Sequence, residues 1–454
     1  MSGGRAFAAA LLLAALATPA ARATEAESCD GQALCDARAL TPFLKALQAV
    51  EDGKRTRPVH ILQIGDSHTA ADNIAGPLRA RLQSRFGEAG RGAMPPGRPY
   101  PSYAPQQMEV EQSDGWRMEA SFVPPEPAHA GKTAGGPAAP VLRPGPFGLS
   151  GWRLTSTKSG ASITLKADPE AAFDRVIACA LAGPDAGELR IVTDAGEKRM
   201  PLAAIDVQPV CRTFELAGPQ ARLAFVTRGG PVKLLSFATW RERPGVVLSN
   251  LGVVGTQLND FAARDDAVVR AELEAYDPDL IILAYGTNDG FEDHVDGAGY
   301  EAVVRAQIER LHRLAPGAPV LVVGPPDADT VRKDIPRDGK HNVGFACAPL
   351  SPTEVLDFDA LTAQRSPELA RWFPPPGLAV VREAERKAAE QEGVAFWDWA
   401  ARMGGPCSAH KLSQEDPRLV RGDHIHFTSD GGRMVADLLM SDLLAAYRDI
   451  GRGR

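Results

Sequence analysis

Ser67 stands in Gly65-Asp66-Ser67, directly after the apolar run 58–64 (PVHILQI). A turn there lifts a hydroxyl above the end of a strand, with its flanking amides facing the same space. A serine hydroxyl is a weak nucleophile by itself. It needs a base within hydrogen-bond reach and an acid that orients the base. The segment Asp423-His424-Ile425-His426-Phe427, near the other end of the chain, offers both. His426 can take the Ser67 proton. Asp423, three residues earlier, can reach the far ring nitrogen and fix its tautomer, whereas His424 points elsewhere on most backbones. Acyl transfer also requires donors aimed at a developing oxyanion. Gly286-Thr287-Asn288-Asp289 follows the apolar run 279–285 and offers the Asn288 amide. The segment Asn250-Leu251-Gly252-Val253-Val254-Gly255 places glycines in a loop after another strand, where an N–H can approach a ligand closely. The Ser67 N–H is a third donor.

The elements that must position these groups are readable from periodicity. Residues 41–51 (TPFLKALQAVE) form a short helix with Pro in its first turn. Residues 58–64 form a buried strand. In 73–86, Ile74, Leu78, Leu82 and Phe86 recur every four residues, which predicts an amphipathic helix. Strand, tight turn and helix open an α/β sheet, whose chemistry sits at the carboxyl ends of the strands. The rhythm returns after Pro244: strands at 245–250, 279–285, 319–323 and 394–397, and helices at 300–314, 377–391 and 431–447. Between the two parts it is lost. Residues 87–151 are rich in Gly and Pro and read as a boundary, because a structureless loop of that length inside one domain is improbable. Six short β-rich runs follow (162–166, 175–181, 188–193, 211–216, 222–227 and 232–240), which suggests a β-sandwich. The expected division is 1–23 signal peptide, 24–100 and 245–454 as two parts of one α/β domain, and 101–244 as a Gly/Pro-rich linker plus inserted β module.

The chain has 454 residues and a formal charge of −7, with 44% hydrophobic residues. That is enough apolar material for a sizeable core, and the mildly acidic balance argues against a nucleic-acid or anionic-membrane binder. Arg5, the apolar run 6–17 and Ala21-Arg22-Ala23 read as a secretory signal cleaved before Thr24. No later stretch is long and apolar enough to span a bilayer. The expected location is therefore outside the cytoplasm, periplasmic or secreted. Export permits disulfides, and proximity suggests Cys29–Cys35, Cys179–Cys211 and Cys347–Cys407; free buried thiols are the alternative. No metal-type spacing of Cys or His occurs, so neither metal nor other cofactor is expected. Trp116, Trp152, Trp240, Tyr100 and Tyr103 are candidates for stacking on sugar rings, although aromatics more often pack in cores. His68 reads as a hydrogen-bonded structural histidine, and Asp289, Asp72 and Asn73 as capping residues.

Four blocks in this order, Gly65-Asp66-Ser67, Gly255, Gly286-Thr287-Asn288-Asp289 and Asp423 to His426, resemble the SGNH (GDSL-like) hydrolase family. The resemblance implies a flavodoxin-like three-layer α/β fold, a catalytic triad of Ser67, Asp423 and His426, and an oxyanion hole of Ser67, Gly255 and Asn288. The longer motif GDSHTAAD, the β module between the first two blocks and FGLSGW (147–152) are similar to bacterial peptidoglycan O-acetylesterases. In those enzymes the insert resembles a carbohydrate-binding module of jelly-roll type. The expectation is an exported serine esterase that removes O-acetyl groups from a glycan, peptidoglycan first, through an acyl-serine. An O-acetyltransferase with the same residues and a catalytically inactive glycan-binding protein are the alternatives. Nothing in the sequence fixes the oligomeric state.

Overall fold

The computed structural model describes residues 32–123, 141–143, 145–332, 335 and 346–451. The signal segment, Cys29 and His341 lie outside the described residues. The framework is a six-stranded sheet of β1 (Leu34–Cys35), β2 (Val59–Gly65), β3 (Val246–Gly252), β4 (Leu280–Ala284), β5 (Val320–Val323) and β6 (Ala395–Trp397). Its spatial order is β1-β6-β5-β4-β2-β3. All neighbours are parallel except β1, which lies antiparallel on β6 at the edge.

Strands β2 to β5 are buried throughout and mostly apolar because helices cover both faces. Residues of alternate parity face opposite ways. Leu62, Ile64, Ile281 and Leu283 enter one core with α3 (Asp266–Tyr276), α4 (Gly297–Leu314) and α5 (Pro376–Glu392). Ile61, Leu248, Leu280 and Ile282 enter the other with α1 (Thr41–Glu51), α2 (Ala75–Phe86) and α6 (Ser429–Gly451). This is a three-layer α/β arrangement. Its five parallel strands follow the flavodoxin-like order, in which the first strand in sequence lies between the second and third. The order in which successive strands are laid across the sheet reverses there, so the crevice at the carboxyl ends of β2, β3 and β4 is where such a sheet holds a ligand.

Between α2 and β3 the described residues form a two-stranded antiparallel sheet, Phe122–Val123 with Val141–Leu142, and two large antiparallel sheets. One is built from Gln208–Gln220, Phe173–Ala182, Val232–Trp240, Trp152–Ser156 and Trp116–Ala120, with Gly92–Met94 also paired to Val232–Trp240. The other runs Gly196–Pro201, Glu188–Thr193, Arg222–Arg228, Ser162–Ala167 and Met108–Gln112. Both contribute to one apolar core, Val176, Ala178 and Phe237 from the first meeting Ile163, Ile191 and Phe225 from the second. A disulfide joins Cys179 to its cross-strand partner Cys211, and a second joins Cys347 to Cys407. Cys35 is also disulfide-bonded. No described cysteine is a free thiol, which removes that alternative for them.

The structure differs from the sequence reading in several places, the strands Trp152–Ser156 and Gly196–Pro201 among them. The stretch 87–151 is more than a linker, for its described residues supply strands to both sheets. Prolines and glycines break those strands into lengths of three to five residues, too short for an alternating pattern to register. Gly92–Met94 pairs with the insert although it precedes residue 101. Helix α3 was absent from the sequence reading; the Asp265 side chain caps it by accepting from the Ala267 and Val268 amides. Among the described residues no helix is long and apolar enough to cross a membrane.

Candidate active site

Strand β2 ends at Gly65, and Asp66 turns the chain by accepting the His68 N–H (2.9 Å), which caps the helical turn Ser67–Ala70. The turn sits hard against the end of β3. A Cβ on Gly252 would lie 2.2 Å from the Ala70 nitrogen and 2.6 Å from the Asp66 oxygen. Only glycine permits that approach. The Val253 N–H then binds the Gly65 carbonyl (3.0 Å), so the loop after β3 starts beside the serine.

The second half of the site comes from the segment before α6. One carboxylate oxygen of Asp423 accepts the backbone N–H groups of Ile425 and His426, both at 3.0 Å. The other lies 2.8 Å from His426 Nδ1. This tight turn is possible because His424 adopts a left-handed backbone, φ 59°. His426 Nε2 lies 3.0 Å from Ser67 Oγ. Ser67 and His426, 359 positions apart, thus form one hydrogen-bonded line with Asp423. Burial on its own would raise the Asp423 carboxyl. The amides of His426 and Ile425 and the His426 ring outweigh it, so the group lies below the usual carboxylate range and stays charged. A carboxylate there favours the tautomer with the proton on Nδ1, which leaves Nε2 free to accept from the serine hydroxyl.

Asn288 stands in the turn Thr287–Gly290 directly after β4. Its side-chain nitrogen donates one hydrogen to the Thr256 carbonyl (2.9 Å), and an amide nitrogen carries two. Gly255 lies in the exposed turn after β3 with φ 81°, a conformation that favours glycine. Among the described residues neither the Ser67 N–H nor the Gly255 N–H meets an acceptor. Gly252, the other glycine of that segment, belongs to β3 and is closed off by the serine turn. Donors from the segments after β2, β3 and β4 therefore lie at one edge of the sheet, the edge where a tetrahedral acyl intermediate would need them.

The other candidates divide clearly. His68 is buried, with Nε2 3.1 Å from the Ile425 carbonyl and its ring stacked 5.5 Å from that of His426. Burial opposes its charge, but the Asp66 carboxylate and the Ile425 carbonyl win and raise its pKa. His424 turns away, stacked on Trp372 at 3.6 Å and bonded to Ser413; burial, reinforced by His410, pushes it down to about 4. Asp289 accepts the Leu258 N–H, and burial raises its carboxyl to about 7. Tyr103 and Trp240 are core residues, whereas Trp116 and Trp152 are half-buried. Tyr100 donates its hydroxyl to the Ala70 carbonyl, so it braces the serine turn. The buried Trp399 meets the His68 ring edge-on at 5.3 Å. Asp329 lies near Cys347 and Cys407, but those sulfurs are joined to each other, which removes them as thiolate ligands.

Comparison with known proteins agrees with this fold. Residues 234–434 match the GDSL-like lipase/acylhydrolase family. A solved structure described as a peptidoglycan O-acetylesterase in action superposes with a TM-score of 0.66 at 23% identity, covering 90% of this chain and 96% of that one. A family two carbohydrate esterase from Clostridium thermocellum, in complex with cellohexaose, gives 0.25 at 10% identity over 64% of this chain and 93% of its own. An acetyl xylan esterase gives 0.26 at 16% identity over 43% and 79%. The first likeness is close enough to show a shared fold; the other two are not. No curated protein matches the chain.

Proposed function

We propose, from the premise that the chain belongs to the SGNH (GDSL-like) acylhydrolase family and is a carboxylic ester hydrolase, that it removes O-acetyl groups from an extracytoplasmic glycan, peptidoglycan first. The observation that carries the reading is the line Ser67–His426–Asp423 at the mouth of the sheet crevice. Ser67 Oγ attacks the ester carbonyl while His426 Nε2 takes its proton. The Ser67 and Gly255 amides and the Asn288 side chain hold the oxyanion. His426 returns the proton to the departing sugar oxygen, leaving acetyl-Ser67. His426 then activates water, acetate departs and the serine is restored. Asp423 stays charged throughout and stabilises the imidazolium.

The glycan reading is supported by a fold shared with a peptidoglycan O-acetylesterase over nearly the whole chain, insert included. We read the insert as a β-sandwich of jelly-roll-like type, spanning 101–244 with Gly92–Met94 added by pairing, and 24–100 with 245–454 as the hydrolase domain. Export to the periplasm or beyond is supported by the signal-like segment 1–23 and by the disulfides. The test is acetate release from O-acetylated peptidoglycan by the wild type and by Ser67→Ala. Release by the first and none by the second is expected. Equal release by both, or release from acetyl xylan alone, contradicts the reading.

A further inference from the structure

The turn 253–257 carries Gly255 but holds it loosely by its own bonds. The Thr256 hydroxyl donates to the Val253 carbonyl (2.8 Å), and Asn288 donates to the Thr256 carbonyl. Among the described residues no hydrogen bond reaches the Gly255 peptide N–H or C=O. Gly255 and Val254 are exposed. A glycine with an open flank samples many backbone states, and an oxyanion donor must stay fixed to work.

The side support comes from the insert. Phe122, 3% exposed, is, among the described residues and apart from Gly255's chain neighbours, the one whose side chain comes nearest to where a Cβ on Gly255 would be, with Cζ at 3.8 Å. The preceding Ser121 donates its hydroxyl to Asp260 (2.7 Å), in the short helix Leu258–Ala262 that directly continues the turn. Asp260 is paired in turn with Arg264 (2.8 Å), whose guanidinium also binds the Leu149 carbonyl (2.7 Å). Ser121, Asp260 and Arg264 are all almost wholly buried, where breaking a satisfied polar contact is costly. The Ser121 N–H binds the Gly151 carbonyl (2.8 Å), and a Cβ on Gly151 would lie 2.8 Å from a methyl of Val253. The FGLSGW segment and the strand end at 121–122 therefore clamp the turn from before Gly255 and from after it.

We propose that the insert is a positioning element of the ester-cleaving site: Phe122, with the Ser121–Asp260 hydrogen bond, holds the 253–257 turn so that the Gly255 N–H faces the oxyanion. The proposal rests on the reading of Ser67, Gly255 and Asn288 given above. It assigns the insert a part in chemistry even for esters that contain no sugar. Losing an oxyanion donor outright costs about 10²–10³-fold in kcat. Loosening one donor of three should cost less, about 10-fold.

The experiment is steady-state hydrolysis of p-nitrophenyl acetate, which offers the insert nothing to bind. Phe122→Ala and Ser121→Ala should each lower kcat about 10-fold while KM stays within about twofold. Phe122→Leu, which refills most of the space, should recover most of the rate. Ile205→Ser, at an insert residue that is 90% exposed, should match the wild type. Thermal unfolding verifies that each variant is folded; should Phe122→Ala fail to fold, Ser121→Ala reads the same split. Wild-type kcat in folded Phe122→Ala and Ser121→Ala overturns the proposal, as does a loss confined to KM for a glycan ester. Ser67→Ala separates the two layers. If it retains turnover the site reading itself is wrong. If it is dead while the insert variants are normal, only the positioning role fails.

Discussion

Replacing Asp423 by Asn probes the proton relay with little change in shape. The variant oxygen can still accept the Ile425 and His426 amides, now held at 3.0 Å. The group facing His426 Nδ1, at 2.8 Å, becomes an NH2 donor. Nδ1 must then accept, which places the ring proton on Nε2, and the histidine loses its ability to take the Ser67 proton. The charge on the imidazolium is also left uncompensated. A charge pair at about 4 Å is worth between about 1 kcal/mol in water and about 4 kcal/mol near a protein surface. The two side chains are 37% and 43% exposed, so the lower half of that range applies, about 1–2.5 kcal/mol or roughly 5- to 70-fold. Adding the tautomer penalty gives a fall of about 10²-fold or somewhat more in kcat. That is smaller than the about 10⁴-fold seen where the acid is buried. The assay is kcat and KM for p-nitrophenyl acetate at neutral pH. A kcat within about threefold of wild type, or a loss that appears only in KM, refutes the reasoning.

Three further outcomes follow from other parts of the molecule. Asn288→Ala should lower kcat about 10²–10³-fold with KM little changed, measured on the same ester; a change mainly in KM removes Asn288 from the oxyanion site. Replacing Cys347 and Cys407 together by Ser opens a loop closed over a separation of 60 residues. The midpoint of chemical unfolding should fall by the equivalent of up to about 4 kcal/mol, and an unchanged midpoint contradicts this. Glu272 is buried where α3 meets the insert, bound by the Ser236 hydroxyl and the Leu149 amide, and burial raises its carboxyl to about 7. Its folded value lies above its unfolded one. Stability present at low pH is therefore lost as pH rises from the ordinary carboxylate range through about 7, by on the order of 3 kcal/mol at most. Glu272→Gln should gain in melting temperature relative to wild type between pH 5 and pH 8, and the opposite trend counts against the linkage.

The parallel sheet was legible because its strands are short, mostly apolar runs bounded by turns of small or polar residues. The runs at 58–64 and 279–285 show this pattern plainly. The meeting of residues 67, 423 and 426 was legible for a related reason: each follows a strand or precedes the closing helix, and such a fold gathers those points at one edge. Gly252 and Gly255 were not separable by spacing. The choice depends on Gly252 lying under the serine turn, a contact between segments far apart in sequence. Helix α3 has a capping Asp265 and apolar residues at Val268, Val269, Leu273 and Tyr276, a signal that a helical count of that window finds. The part played by 87–151 was hidden. Its short strands take their meaning from partners up to about 150 residues away, as when Ala93 pairs with Ala238. The seating of Phe122 on the Gly255 turn is of that same kind.

The central claim is that Ser67 carries the acyl group. Rapid acid quench of the enzyme with p-nitrophenyl acetate, followed by intact-mass and peptide analysis, tests it directly. The predicted result is one added acetyl on the peptide containing Ser67 in the wild type and none in Ser67→Ala. An acetyl on another residue, or turnover by Ser67→Ala at the wild-type rate, contradicts it.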